Sequence, residues 1–434
     1  MGRFRHCLIS AALAASLLIC SEVYARDIVI HAGQLIDGVS KVPRSGVSIV
    51  VHDDRIISVT AGFIEPPDAQ VIDLSHETVA PGLIDCHDHL SYDLAAGSIA
   101  LSFVTRSPFD ELLTAASNAH KTLLAGFTSI RDVGGYTPVV VALRKAIAAG
   151  TTEGPRMWVS GSIIAPTGGH GDFHNGFDPM LTKPEWDDSI VDGPEEALKM
   201  VRKRHRDGTD LIKIAPSGGI STDGDDPNAQ LMTDLEIKAI VGAAHTLHMK
   251  VAAHAHGRDA INHAALLGVD SIEHGTFADE TSYKIMKEHG TWLVPTLLVG
   301  DIETRYARLH PELFSSAAVA KVLAIGPLMS SNLSRAYKSG VKIAFGTDSG
   351  ISPHGQNARE FELLVKAGMT PMDAIMTATS AAAELIGAAQ DIGTLQPGRL
   401  ADLIATKGDP LNDITELQRV DFVMKAGKVV KSAL

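Results

Sequence analysis

At 434 residues, with 38 basic and 51 acidic side chains, the chain carries a formal charge of −13. That balance argues against nucleic acid or an anionic membrane as a partner and leaves small molecules or peptides as the expected ones. The length suffices for one large domain with an appendage, or for two of ordinary size.

Residues 1–25 read as a secretory signal: Arg3 and Arg5 open it, Leu8 to Ile19 are nearly all apolar, and Val23-Tyr24-Ala25 precedes an expected cut. The apolar stretch falls short of the roughly 20 residues that a bilayer span needs, and no later segment reads as one. Cleavage removes Cys7 and Cys20 and leaves Cys86 alone, so no internal disulfide can form. It also leaves 36 basic and 50 acidic residues, a charge of −14. The expected location is outside the inner membrane, in the periplasm, with no membrane contact after cleavage; the sequence leaves a homo-oligomer open.

Residues 26–80 alternate as short strands: DIVIHAGQLIDG, GVSIVVHDDRIISV with a hairpin at Asp53-Asp54, then AQVIDL. Residues 391–434 repeat the pattern in LADLIATKGDPL and DFVMKAGKVVKSAL. Between them, residues 81–390 alternate apolar runs with Ala-rich helical stretches. The runs are VAPGLIDCH, FTSIRDV, RMWVSGSII, LIKIAP, KVAAHAH, VDSIEH, WLVPTLL and VKIAFGTD. Eight such units in an α/β chain predict a (β/α)8 TIM barrel, with the two chain ends meeting as one small composite β-sandwich. A doubly wound sheet would need a Gly-rich phosphate turn, and no convincing one is present. The long irregular stretches APTGGHGDFHNGFDPM and PSGGISTDGDDPNAQ follow the third and fourth strands, where barrel enzymes keep catalytic loops.

In PGLIDCHDHL the histidines at 87 and 89 are two apart, so in a strand both face one side. Alone, such a pair is as readily a polar strand end as a pair of ligands. A barrel, however, converges its strand ends on one mouth. There the first strand brings His87 and His89, the fourth Lys213, the fifth His254 and His256, the sixth His274 and the eighth Asp348. Imidazoles with a carboxylate suit a divalent ion such as zinc. Lys213 would be repelled by a cation unless burial keeps its amine neutral. A neutral amine can take up carbon dioxide and become a bridging carbamate; it can also form a Schiff base, a reading that leaves the histidines unexplained.

The order PGLID with HxH, the strand-four Lys, VAAHAHG, IEHG, FGTDSG and the tail TATSAAAELIGAAQDIGTLQPGRLADLIA resembles the metal-dependent amidohydrolase superfamily, in its branch of imidazolonepropionase-like proteins and Xaa-Pro dipeptidases. The likeness spans nearly the whole chain after residue 25. It implies His87 and His89 on one metal, His254 and His274 on a second, carboxylated Lys213 between two zinc ions, and Asp348 beside the bridging water. Asp348 would then act as general base and acid in amide hydrolysis by metal-activated hydroxide. Asp88 departs from the apolar residue common between the histidines and needs a partner behind the strand.

His170 and His256 are candidates for holding the substrate's carbonyl or carboxylate, against plainer roles as a loop cap and as support behind the ligands. His120, His245 and His248 read as surface residues, Cys86 as packed, and Arg131 and Asp132 as a structural pair after the second strand. The resemblance implies cleavage of a dipeptide or N-acyl amino acid, including ochratoxin-like amides, with release of the C-terminal amino acid. Cyclic amide or imidazolone hydrolysis is the alternative within the class. A secreted binding protein without turnover is the alternative outside it, and the full ligand set argues against that.

Overall fold

The computed structural model describes residues 27–93, 99–183 and 186–433, so the expected export signal lies outside the described residues. The N-terminal segment forms β1 (Ile28–Leu35), β2 (Arg44–His52), β3 (Arg55–Ala61) and β4 (Gln70–Pro81). Next come β5 (Leu83–Asp88), β6 (Phe127–Asp132), β7 (Arg156–Val159), β8 (Leu211–Ile214), β9 (Lys250–Ala255), β10 (Ser271–His274) and β11 (Trp292–Val294), with helices between them. The C-terminal end adds β12 (Leu403–Thr406), β13 (Phe422–Lys425) and β14 (Lys428–Ser432).

Both chain ends share one sheet of order β14-β13-β12-β4-β1-β2-β3. Its centre is β4, parallel to β1 and antiparallel to β12. Alternation in β2 sends Val47, Ile49 and Val51 inward, and they share a core with Leu403, Ala405 and Phe422 from the far end of the chain. Asp53-Asp54 makes the two-residue hairpin turn, with Asp53 at φ 53° in the left-handed region such turns require. This sheet is the sandwich expected from both termini.

The middle of the chain is a (β/α)8 barrel. Ladders join β5-β6-β7 and β11-β10-β9-β8, all parallel. The seam between the third and fourth runs closes through Ile164, whose N–H donates to Lys213 O at 2.9 Å while its carbonyl accepts from Ala215 at 3.0 Å. The eighth run makes no regular ladder. It is held by Leu293 N–H to Lys342 O at 2.8 Å, Cys86 N–H to Phe345 O at 2.9 Å and Asp348 N–H to His87 O at 2.7 Å. Gly161 (φ 69°) in the third run and Asp348 (φ 57°) at the end of the eighth leave the extended region.

The helix expected after the fourth run is Asp234–Thr246, opened by a Thr233–Glu236 capping box and stopped before His248, which is left-handed at φ 58°. The expectation that no later segment has the make-up of a membrane span needs correcting. The helical run Ser316–Lys338, 23 residues long, meets that length and composition. Its Val322, Ile325, Met329 and Leu333 are buried, and Gly326-Pro327 interrupts it, as in a core helix pair.

Candidate active site

The strand ends converge as barrel topology requires. Donor atoms of His87, His89 and Asp348 lie within 4.8 Å of one another, and so do those of His254, His256 and His274. Lys213 Nζ stands 3.4 Å from His87 Nε2. His256, expected outside the ligand ring, therefore lies within the second cluster, its ring stacked on that of His274 with centroids 4.8 Å apart. His170 from the third-strand loop stacks on His254 at 3.9 Å.

Three of the imidazoles are held from behind. His87 Nδ1 meets the Glu273 carboxylate at 2.9 Å, which leaves Nε2 toward the centre. His256 Nδ1 bonds Thr276 at 2.8 Å, and His274 Nδ1 bonds Thr296 at 2.7 Å. His89 Nδ1 is buried without a hydrogen-bond partner, and Nε2 lies 3.2 Å from Asp348. A Cβ at Gly134 would sit 2.5 Å from His89 Nδ1, so glycine makes room for that ring. His274 (φ 69°), Thr296 (φ 49°) and Asp348 (φ 57°) all adopt left-handed backbone at strand ends, strain that only a packed surrounding holds in place.

The charges suit a cation. Burial brings His87 down to about 4 and His256 to about 3, and pushes His254 and His274 well below the usual histidine value, so neutral nitrogen donors face inward at neutral pH. Burial works to raise Asp348, but His87 and His89 outweigh it and hold its carboxylate far below the usual range. Burial also lowers the Lys213 ammonium to about 8, against the pull of Glu273 and Asp348. Neutral imidazoles, an ionised carboxylate, a desolvated amine and an unsatisfied ring nitrogen make a donor set that fits divalent metal ions.

Several supporting residues were not singled out from sequence. Glu273, fully buried, also takes Arg131 Nη2 at 2.8 Å, and Arg131 Nε donates to Cys86 O at 2.5 Å. Arg131 and Asp132 are thus structural, but they lie within β6 rather than after it and do not pair with each other. Asp132 instead accepts from the N–H groups of Leu90 and Gly134. Behind the strand, Asp88 Oδ2 accepts from Asn357 at 3.4 Å, while Oδ1, 3.6 Å from His354 Nδ1, is buried without a hydrogen bond. His170 is fixed by Thr222 at 3.2 Å and by Asp225, 3.7 Å away, which is itself bound by Lys321 at 3.0 Å. His120, His245 and His248 are exposed, and Cys86 is buried, as expected.

Above the clusters opens a cavity of about 250 Å³, its outer walls built from Tyr92, Phe103, Phe173, Phe177 and Phe314. Such a concave apolar site over convergent polar groups suits a small ligand.

Comparison with known proteins agrees with this architecture. The amidohydrolase family model matches residues 78–430. The ochratoxinase of Aspergillus niger is 33% identical over 436 residues, covering 96% of this chain and 89% of the relative. A crystal structure of a Xaa-Pro dipeptidase with bound methionine in the active site superposes with TM-score 0.90 at 39% identity, over 94% of this chain and 100% of that one. A prolidase complexed with N-methylphosphonate-L-proline gives TM-score 0.86 at 32% identity, again over 94% and 100%.

Proposed function

Because the chain belongs to the amidohydrolase family, we propose that it hydrolyses the amide bond of a dipeptide or N-acyl amino acid and releases the C-terminal amino acid. The observation that carries this reading is the pair of donor clusters at the floor of one cavity, with Asp348 in the first and Lys213 beside it. The ochratoxinase and dipeptidase likenesses support the substrate class.

In this reading His87 and His89 hold one divalent ion, zinc by donor chemistry, and His254 and His274 a second. Lys213 would contribute as a carbamate: its neutral amine adds carbon dioxide and loses one proton, giving two oxygens that share one negative charge and could serve as ligands. Bound divalent ions supply Lewis acidity and lower the pKa of water. Asp348 accepts the proton of the attacking water and returns it to the departing amine, so the amide becomes an acid and a free amino group. His170 and His256 orient the substrate's carbonyl or carboxylate, which turns binding energy into alignment. Asp88 supports the first strand from behind. The leader at residues 1–25 directs export.

Metal analysis combined with turnover of a panel of dipeptides and N-acyl amino acids tests the proposal. Activity should vanish on chelation, return with zinc, and be lost in His87→Ala, His274→Ala and Lys213→Ala. Full activity after exhaustive chelation, or borohydride trapping of a substrate adduct at Lys213, would overturn it.

A further inference from the structure

One carboxyl group in the cavity wall has no part in the chemistry above. Glu303 lies one turn beyond Val299 in the helix Leu297–Leu309, and both residues line the cavity. Glu303 is only 2% exposed. Burial raises its carboxyl to about 8; the Ser221 hydroxyl opposes the rise and the charge of Asp348 adds to it.

Other buried carboxylates have partners that account for them. Glu273 has Arg131 and His87, Glu360 accepts the N–H groups of Leu297 and Leu298, Asp225 has Lys321, and Asp402 has Arg156. Glu303, among the described residues, has only the Ser221 hydroxyl. Among the described residues no arginine lines the cavity, and its one lysine is Lys213, at the donor clusters. A carboxyl placed in such a wall costs free energy whether charged or neutral, and an opposite charge brought by a ligand offsets that cost.

We propose that Glu303 is a specificity-determining residue, pairing inside the cavity with a positively charged group of the substrate, an ammonium or a guanidinium. The neighbouring wall suits such a group. Ile220, Leu313, Phe314 and Met329 offer apolar surface for the methylene stem that carries the cation. Asp223, bonded to Ser315, adds a second carboxylate on the same side. The pairing rests on the amide-hydrolase reading for the choice of probes and for the cavity's role as the substrate site.

Three compounds isolate the charge and its source. Propionyl-norleucine is the reference without a cationic group, alanyl-norleucine adds an α-ammonium on the acyl side, and propionyl-lysine adds an ammonium at the end of the released side chain. Each is measured on the metal-loaded protein as kcat/KM where turnover occurs and as a calorimetric Kd where it does not. At least one cationic compound should exceed the reference by about tenfold or more, as expected of a charge-assisted hydrogen bond in a desolvated wall, and the compound that does so identifies the source. Glu303→Gln should compress that ratio to within about threefold. Should this variant fail to fold, Glu303→Asp, which draws the charge back by one methylene, should lower the same ratio. Equal handling of all three compounds by the wild type, or a preference that survives the substitution, overturns the pairing. Charge-selective binding without cleavage of any compound would overturn the hydrolysis reading and leave the pairing standing; cleavage without charge preference would do the reverse.

Discussion

The Glu273 carboxylate joins His87 at 2.9 Å to Arg131 at 2.8 Å. The clustered histidines could be picked from sequence because each lies at the end of an apolar run. Glu273 could not, because simple alternation sends it to the face opposite His274, and the left-handed backbone at His274 breaks that alternation. Burial would raise Glu273, but Arg131 and His87 outweigh it and bring it to about 2, so it is ionised at neutral pH. Glu273→Gln should therefore act twice. It leaves the Arg131 cation buried without its counter-charge, a loss of about 3–5 kcal/mol by analogy with other broken buried pairs. It also removes the group that orients His87, which should weaken metal affinity about 10–100-fold. Denaturant unfolding and metal titration read the two effects separately; a variant with unchanged metal affinity would show that His87 needs no carboxylate behind it. Cys86 offers a simpler check, since burial pushes its thiol up to about 12. Peptide-mapped alkylation at pH 8 should leave Cys86 unmodified in the native protein and modify it after unfolding; labelling in the native state would contradict its packing.

Among elements, strands with alternating or continuous apolar runs were legible and their interruptions were not. VKIAFGTD reads as a full eighth strand, yet it makes no regular ladder, and its last residue, Asp348, leaves the extended region with its carboxylate 3.2 Å from His89 Nε2. The sharing of one sheet by both chain ends was readable because neither set of strands could cover its own apolar face. Deleting residues 400–434 should lower the melting temperature by at least about 10 °C or abolish the cooperative transition. It strips β12 from β4, removes Leu403, Ala405 and Phe422 from the sandwich core, and leaves Arg156 without Asp402. An unchanged transition would mean that the shared sheet contributes nothing to stability.

The helix Arg359–Lys366 carries a second elemental signal. Glu360 accepts two N–H groups at the start of the helix Leu297–Leu309, yet burial outweighs them and raises it to about 8. A carboxyl raised in the folded state keeps its proton where the unfolded chain has lost it, so its contribution falls as pH climbs from about 4.5, its unfolded value, through 8. Thermal unfolding of metal-free wild type and Glu360→Gln isolates this group from the buried histidines, whose lowered values act in the opposite sense. The stability of the wild type relative to the variant should fall across that window; a difference that stays constant with pH would place the effect elsewhere.

At the scale of the whole molecule, the charge of −13 was legible by counting, while the field inside the cavity was not, because it depends on which side chains the barrel brings together. Long-range repulsion should disfavour anionic substrates and favour cationic ones, and added salt screens that field beyond roughly 8–10 Å at ordinary ionic strength. Buried groups in the cavity, Glu303 and the histidine clusters among them, are screened far less. The two contributions therefore separate with salt. Raising ionic strength from about 0.01 to 0.3 M should increase kcat/KM for a substrate of net charge −1 and decrease it for one of net charge +1, each by about twofold or more as the Debye length shrinks from about 30 Å to below 8 Å. The charge preference assigned to Glu303 should persist at high salt, because it acts at contact distance in a desolvated wall. The measurement is a salt series on propionyl-norleucine (net −1) and alanyl-arginine (net +1). Salt slopes of the same sign for both substrates would show that the overall charge does not steer them, and would leave selection to the cavity wall alone.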